Sequence, residues 1–166
     1  MKSLFSHLLR EVSVSVRVQT EDFNAGTEIA RLTANDPTVG AVASFIGLVR
    51  AENAGQAVTG LTLEHYPGMT EKSLEAIEAL ARQRWPLGEV VIIHRVGPLN
   101  LGEQIVLVAV SSAHRQAAFA ACEFMMDHLK TEAPFWKQEA SSKGMAWVDA
   151  RESDTQALAR WREGKP

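Results

Sequence analysis

Valines at every second position of residues 12–18, separated by serine and arginine, have the period of a half-buried strand. After it, Asp22 is placed to cap a helix carrying Ile29 and Leu32 on one side and ending near Asn35, Asp36 and Pro37. Residues 40–50 are apolar almost throughout, which predicts a strand covered on both faces and therefore central, with Gly47 marking a bulge or a close approach. Residues 51–57 are polar and contain glycine, so a mobile loop is expected after Arg50. Residues 59–66 alternate again, with Leu61 and Leu63 on one face. Pro67 and Gly68 turn the chain into a helix opened by Thr70 and Glu71, with Leu74, Ile77 and Leu80 or Ala81 inward and Pro86 and Gly88 beyond its end.

Two further strands, 89–96 and 103–110, flank a turn-rich link at 97–102. A long helix follows, begun by His114 and Arg115, with Ala118, Cys122, Met125 and Leu129 repeating at helical spacing. Beyond Pro134, residues 135–140 and 145–150 read as a hairpin around a four-residue loop, Ser141 to Gly144. Ser153 and Gln156 then fit the capping box of a last helix. Short hairpin links mixed with helical excursions argue for an α+β fold, helices packed on a mixed, largely antiparallel sheet. The length of 166 residues suits one domain, 1–166, with residues 1–11 forming a poorly defined N-terminal segment.

Composition narrows the picture only slightly. A net charge of -3 gives no global pull toward nucleic acid or anionic membrane, so an anion site has to be local. The single cysteine, Cys122, excludes an internal disulfide and a cysteine-based metal cluster, and on an apolar helical stripe it reads as a buried, inert thiol. Residues 1–11 lack a signal-peptide core and no apolar run reaches membrane-spanning length, so a cytoplasmic protein is expected.

Candidate chemistry gathers around residues 128–139. Lys130 lies near a helix C-terminus, where the end dipole favours a cation, and Lys137 is expected on the first strand of the hairpin. If the loop closes symmetrically, Lys137 shares a face with Phe135, Ala146, Val148 and Ala150, an apolar setting that would disfavour its charge. Most lysines are solvated or snorkel over apolar surface, so spacing alone favours that reading, and company from elsewhere raises the functional one. Arg50 ends an apolar strand at a loop. His114 and Arg115 occupy a helix first turn, where the dipole disfavours cations unless an anion binds nearby, and free N–H groups with an arginine make a phosphate cradle. A solvated helix end takes equal weight. His114 and Lys130 stand roughly 24 Å apart by helix rise, so a compact site using both needs an elongated substrate, two pockets or a second copy. No phosphate loop, zinc-ligand spacing or nucleophile elbow is present, His65, His94 and His114 sit in separate elements, and Glu64 with His65 reads as a buried polar pair. These residues imply a soluble α+β protein that binds a small anionic ligand through arginine and histidine, with lysines available as acid or base.

Several separated motifs add to this: Phe45-Ile-Gly-Leu-Val-Arg50, Leu63-Glu-His-Tyr-Pro-Gly-Met-Thr-Glu71, His94-Arg-Val-Gly97, Ser112-Ala-His-Arg115, Leu129-Lys-Thr-Glu-Ala-Pro-Phe-Trp-Lys137 and Trp147-Val-Asp-Ala-Arg-Glu-Ser153. In this order they resemble the catalytic, larger subunit of molybdopterin synthase. The resemblance implies an α/β-hammerhead fold and a sulfurtransferase that converts cyclic pyranopterin monophosphate into molybdopterin. It also implies a sulfur donor, the C-terminal glycine thiocarboxylate of a small ubiquitin-like partner, and a homodimer of this subunit inside a heterotetramer. No cofactor or metal is implied. Carried over by motif, Lys130 and Lys137 belong in the catalytic pocket that receives the partner's tail, and Arg50, His114 and Arg115 match residues of substrate binding and catalysis. Ser141-Ser142-Lys143-Gly144 is not the family's commonest turn, and residues 1–11 match nothing in it. A non-catalytic scaffold that binds a ubiquitin-like sulfur carrier is the alternative, while a nucleic-acid module is disfavoured by charge and the lack of a basic stripe.

Overall fold

The computed structural model describes residues 14–149 and 152–162. In chain order the first half contains β1 (Val16–Gln19), α1 (Ala25–Arg31), β2 (Ala41–Leu48), β3 (Glu52–Asn53), β4 (Gln56–Ala57), β5 (Gly60–His65) and α2 (Met69–Arg84). The second half adds β6 (Val90–Arg95), β7 (Gly97–Leu99), β8 (Gln104–Ser112), α3 (Arg115–Glu132), β9 (Phe135–Ser141), β10 (Gly144–Val148) and α4 (Glu152–Arg162). One four-stranded sheet has the order β1-β6-β8-β2, a second has β10-β9-β5-β7, and β3 pairs with β4 alone. Only β1 and β6 run parallel among these pairs, so the expected α+β architecture with largely antiparallel strands is what the chain adopts.

β6 and β8 are apolar at consecutive positions because both their faces are covered. On one side Ile92, Val108 and Val110 pack against Leu74 and Ile77 of α2, Phe124 and Met125 of α3, and Leu158 of α4. On the other, Val91, Ile93, Leu107 and Ala109 meet Phe23 and Leu32 around α1. β2, expected to be central, lies instead at the sheet edge, with Phe45, Ile46 and Leu48 respectively 40%, 38% and 51% exposed. An apolar run cannot distinguish a strand covered by its own helices from one left open to another surface. The irregularity expected at Gly47 is there: the register shifts between Gly47 and Leu48, and a Cβ at Gly47 would stand 2.8 Å from Val106 Cγ1.

Several local expectations change. Asn24, not Asp22, caps α1, its Oδ1 accepting the Thr27 N–H at 2.9 Å, while Asp22 accepts the N–H of Phe23 and the Gln104 side-chain amide. The segment expected as a mobile loop is the β3–β4 hairpin, turned through Ala54 and Gly55 at φ of 50° and 76°. The β9–β10 hairpin closes with two residues rather than four, because Ser141 pairs directly with Gly144, which takes a φ of 108°. Ser153 lies inside α4 and does not cap it. Glu71 does open α2, accepting the Gly68 N–H at 2.7 Å, and Ala81 is fully buried where Leu80 is exposed.

The two sheets meet where the His94 ring of β6 stacks on Phe135 of β9, centroids 3.8 Å apart and planes 19° from parallel. Its Nδ1–H donates to the Arg95 carbonyl at 2.8 Å, so the neutral ring is oriented and buried. Burial, reinforced by the nearby His65, pushes its pKa down from 6.5 to about 4. An unfolded chain therefore binds a proton in that window that the folded chain does not. Stability should be complete above about 6.5 and fall as pH drops toward about 4, by roughly 3 kcal/mol at most from this group. Urea midpoints at neutral and mildly acidic pH check this, and His94→Gln should flatten the slope.

Candidate active site

The strand period places Phe135, Lys137 and Glu139 on one face of β9, opposite His65, Leu63 and Leu61 of β5. Val148 and Ala146 of β10 stand across from Lys137 and Glu139, so the expected grouping of Lys137 with Phe135, Ala146 and Val148 forms, while Ala150 lies outside the described residues. The setting is not apolar, however. Lys137 Nζ lies 2.6 Å from Glu139 Oε1, with the lysine side chain 35% exposed. Both oxygens of Glu139 accept from Asn53 Nδ2 of the β3–β4 hairpin, at 2.9 and 3.0 Å. A carboxylate two residues from a lysine on one strand was a readable signal for Glu139. Asn53 gave none, being 86 residues away.

Arg50 follows the bulged end of β2 and is exposed. The residue before it is pinned: Val49 N–H donates to the Glu103 carbonyl at 2.9 Å, and Gly102 N–H donates to the Val49 carbonyl at 2.8 Å. A small pocket is lined by Arg50 together with Lys137, Glu139, Glu52, Asn53 and Leu61. Two of the expected site residues, Arg50 and Lys137, thus share one pocket.

Lys130 is exposed in the last turn of α3, which runs two residues further than expected, to Glu132, before Pro134 leads into β9. Because α3 returns along β8 from Ser112, it ends beside the start of β8, where Gln104 pairs with Leu48. Lys130 is therefore at the Arg50 and Lys137 end of the sheet, although it does not line their pocket. His114 is the N-cap of α3 and Arg115 its first residue, both exposed, with no acidic residue in the first turn. They stand at the opposite end, where Ser112 pairs with Ala41, roughly 24 Å from the Leu48 end by strand rise. One protomer assembles Arg50, Lys137 and Lys130 at one end and keeps His114 and Arg115 apart from them.

Glu64, His65 and Cys122 do not line this pocket. Glu64 is exposed and His65 half-buried, pointing to opposite faces of β5, so the expected buried pair does not form, and His65 Nε2 lies 3.8 Å from Glu71 Oε1 instead. Cys122 is buried, and burial followed by the adjacent Glu123 pushes its thiol up to about 11. That leaves almost no thiolate at neutral pH.

The MoaE protein family matches residues 18–132. The chain belongs to the MoaE family. A molybdopterin synthase catalytic subunit from Ralstonia nicotianae is 60% identical over 147 residues, covering 89% of this chain and 84% of the relative. The solved molybdopterin biosynthesis MoaE protein from Burkholderia ambifaria is 53% identical with a TM-score of 0.76, covering 89% of this chain and 97% of its own. Molybdopterin synthase from Staphylococcus aureus superposes with a TM-score of 0.74 at 32% identity, covering 80% of this chain and 95% of that one. The resemblance carried by the motifs is thus borne out at the level of family and fold. The buried thiol of this MoaE chain should fail to react with Ellman's reagent at neutral pH until denaturant is added, and Cys122→Ser should keep full activity. Rapid labelling of the native protein would contradict this burial.

Proposed function

We propose that the chain is the catalytic subunit of a molybdopterin synthase, moving sulfur from the thiocarboxylate tail of a small ubiquitin-like partner onto cyclic pyranopterin monophosphate. The observation that carries this is the convergence of Arg50 and Lys137 on one pocket, with Lys130 at the same end of the sheet, in a chain of the MoaE family. An extended glycine tail entering beside the β9–β10 hairpin would bring its anionic sulfur to the two ammonium groups. There a lysine can steady the charge and pass a proton, converting an intermolecular attack into an oriented one. Arg50 is available to the phosphate or pterin. The high thiol pKa of Cys122 agrees with sulfur arriving from outside.

His114 and Arg115, together with free N–H groups at the start of α3, form the better anion cradle, yet stand at the far end of the protomer. A dimer in which one copy supplies these residues to the other's lysine pocket resolves the separation. The apolar edge of β2, with Phe45, Ile46 and Leu48 exposed, supports such an assembly. The scaffold alternative keeps the tail pocket without turnover. The ion pair at Lys137 is compatible with that alternative, since the lysine is not set among apolar groups alone, and the family relation favours the enzyme.

In an assay with thiocarboxylated partner and precursor, Lys130→Ala and Lys137→Ala should each cut product formation by about 10²- to 10⁴-fold while folding is kept. Losses below about tenfold in both would favour the scaffold. Arg115→Ala should weaken precursor binding, by calorimetry, more than partner binding. Mixed dimers of Lys137→Ala with Arg115→Ala hold one intact shared site, so they should recover about half of wild-type turnover, whereas inactivity of the mixture would put both residues in the same protomer's site.

A further inference from the structure

We propose that Asn53 is a positioning residue for Lys137, acting through Glu139, and that the β3–β4 hairpin serves to deliver it. This inference rests on the reading of Lys137 as a catalytic group and names a residue that reading leaves unassigned.

Lysine has four rotatable side-chain bonds, so an ammonium on a half-exposed strand face is poorly placed unless a partner fixes it. Glu139 is that partner at 2.6 Å. It is in turn held by Asn53, whose Nδ2 reaches both carboxylate oxygens, at 2.9 and 3.0 Å, and so sets the plane of the group. A half-exposed ion pair contributes little to folding, so its value lies in geometry. The hairpin that carries Asn53 is too short to stand alone, with two residues in each arm. Its base is tied down by the Val58 N–H donating to the Ala51 carbonyl at 2.9 Å and the Thr59 N–H donating to the Ala140 carbonyl of β9 at 2.8 Å. Its turn holds Ala54 at φ 50°, a left-handed conformation unfavourable for a residue with a Cβ. That conformation is retained in a turn whose result is to aim Asn53 at β9.

The placement matters for Arg50 as well. Asn53 stands three residues after Arg50 and lines the same pocket, so the Asn53–Glu139 contact couples the arginine's segment to the lysine's strand. On its other side the same contact borders a second cavity lined by Gln56, Ser141, Ala146 and Val148. Asn53 and Glu139 thus line both cavities. Without the bond between them, the ammonium loses its fixed position in the pocket that Arg50 also lines.

The test uses the complex of this chain with its thiocarboxylated partner. Asn53→Ala should lower kcat by about tenfold while KM for the precursor, partner affinity and thermal midpoint stay within about twofold or a few degrees of wild type. Asn53→Gln, which keeps an amide donor, should recover part of the loss. Asn53→Asp, isosteric but unable to donate to a carboxylate, should not, and it tests the idea even if the alanine variant folds poorly. Combined with Glu139→Gln, Asn53→Ala should add nothing beyond the larger single effect, since both act along one path. Wild-type kcat in Asn53→Ala or Asn53→Asp, or full additivity with Glu139→Gln, would overturn the inference. Lys137→Ala separates the two levels. If that variant turns over normally, the reading of the lysine itself fails; if it is inactive while Asn53→Asp is normal, only the positioning role does.

Discussion

Only two residues separate the end of β8 at Ser112 from the start of α3 at Arg115, and that short link governs where Lys130, His114 and Arg115 stand. With β8 buried on both faces, the chain leaving it must turn back over the sheet, and the helix lies antiparallel to the strand that precedes it. Helix and strand have nearly the same length, since 18 helical residues rise about as far as 9 extended ones, roughly 27 to 30 Å. Lys130 is thereby delivered to the end of the sheet where β2 gives way to Arg50, and His114 with Arg115 is held at the end where β2 begins. Neither group can drift toward the other without pulling Phe124, Met125 and Leu129 out of the core.

The second sheet solves a different problem. Its inner face carries Leu61, Leu63 and Leu99 in a small core with Val49, and Lys137 and Glu139 come from the same face of β9 at the open margin of that core. The His94–Phe135 stack anchors one end of β9 against the first sheet, and the β3–β4 hairpin meets the strand at Glu139 further along. Lys137 lies between these two fixed points. A surface ion pair of this kind contributes between zero and about 1 kcal/mol to folding, so the polar cluster is better understood as a means of orienting groups than as a source of stability.

Among the described residues, each four-stranded sheet also has an edge strand with no further strand paired to it. β2 ends the first sheet with Phe45, Ile46 and Leu48 exposed, and β10 ends the second with Met145 and Trp147 exposed beside Trp136 of β9. Apolar side chains on unpaired edges are a liability in a lone protomer. They are understandable in a chain that works inside an assembly, the arrangement proposed above for joining Lys130 and Lys137 with His114 and Arg115.

Residues read in isolation were enough for the α+β class, the helix stripes of α2 and α3, the bulge at Gly47, the shared face of Phe135 and Lys137, and, through the spaced motifs, the family. These rest on local periodicity, glycine geometry and side-chain type, which the chain carries with it wherever it folds. Three things needed the tertiary structure. Whether the apolar run of β2 was central or at an edge depended on which elements came to cover it. Whether Lys137 sat among apolar groups depended on Glu139 and on Asn53, brought 86 residues along the chain by a hairpin that polarity and glycine content suggested would be a loose loop. The distance between His114 and Lys130 follows from helix rise alone, but only the packed sheet shows which residues share each end. Pairing between distant strands is decided by the whole set of competing contacts, and no local pattern records its outcome.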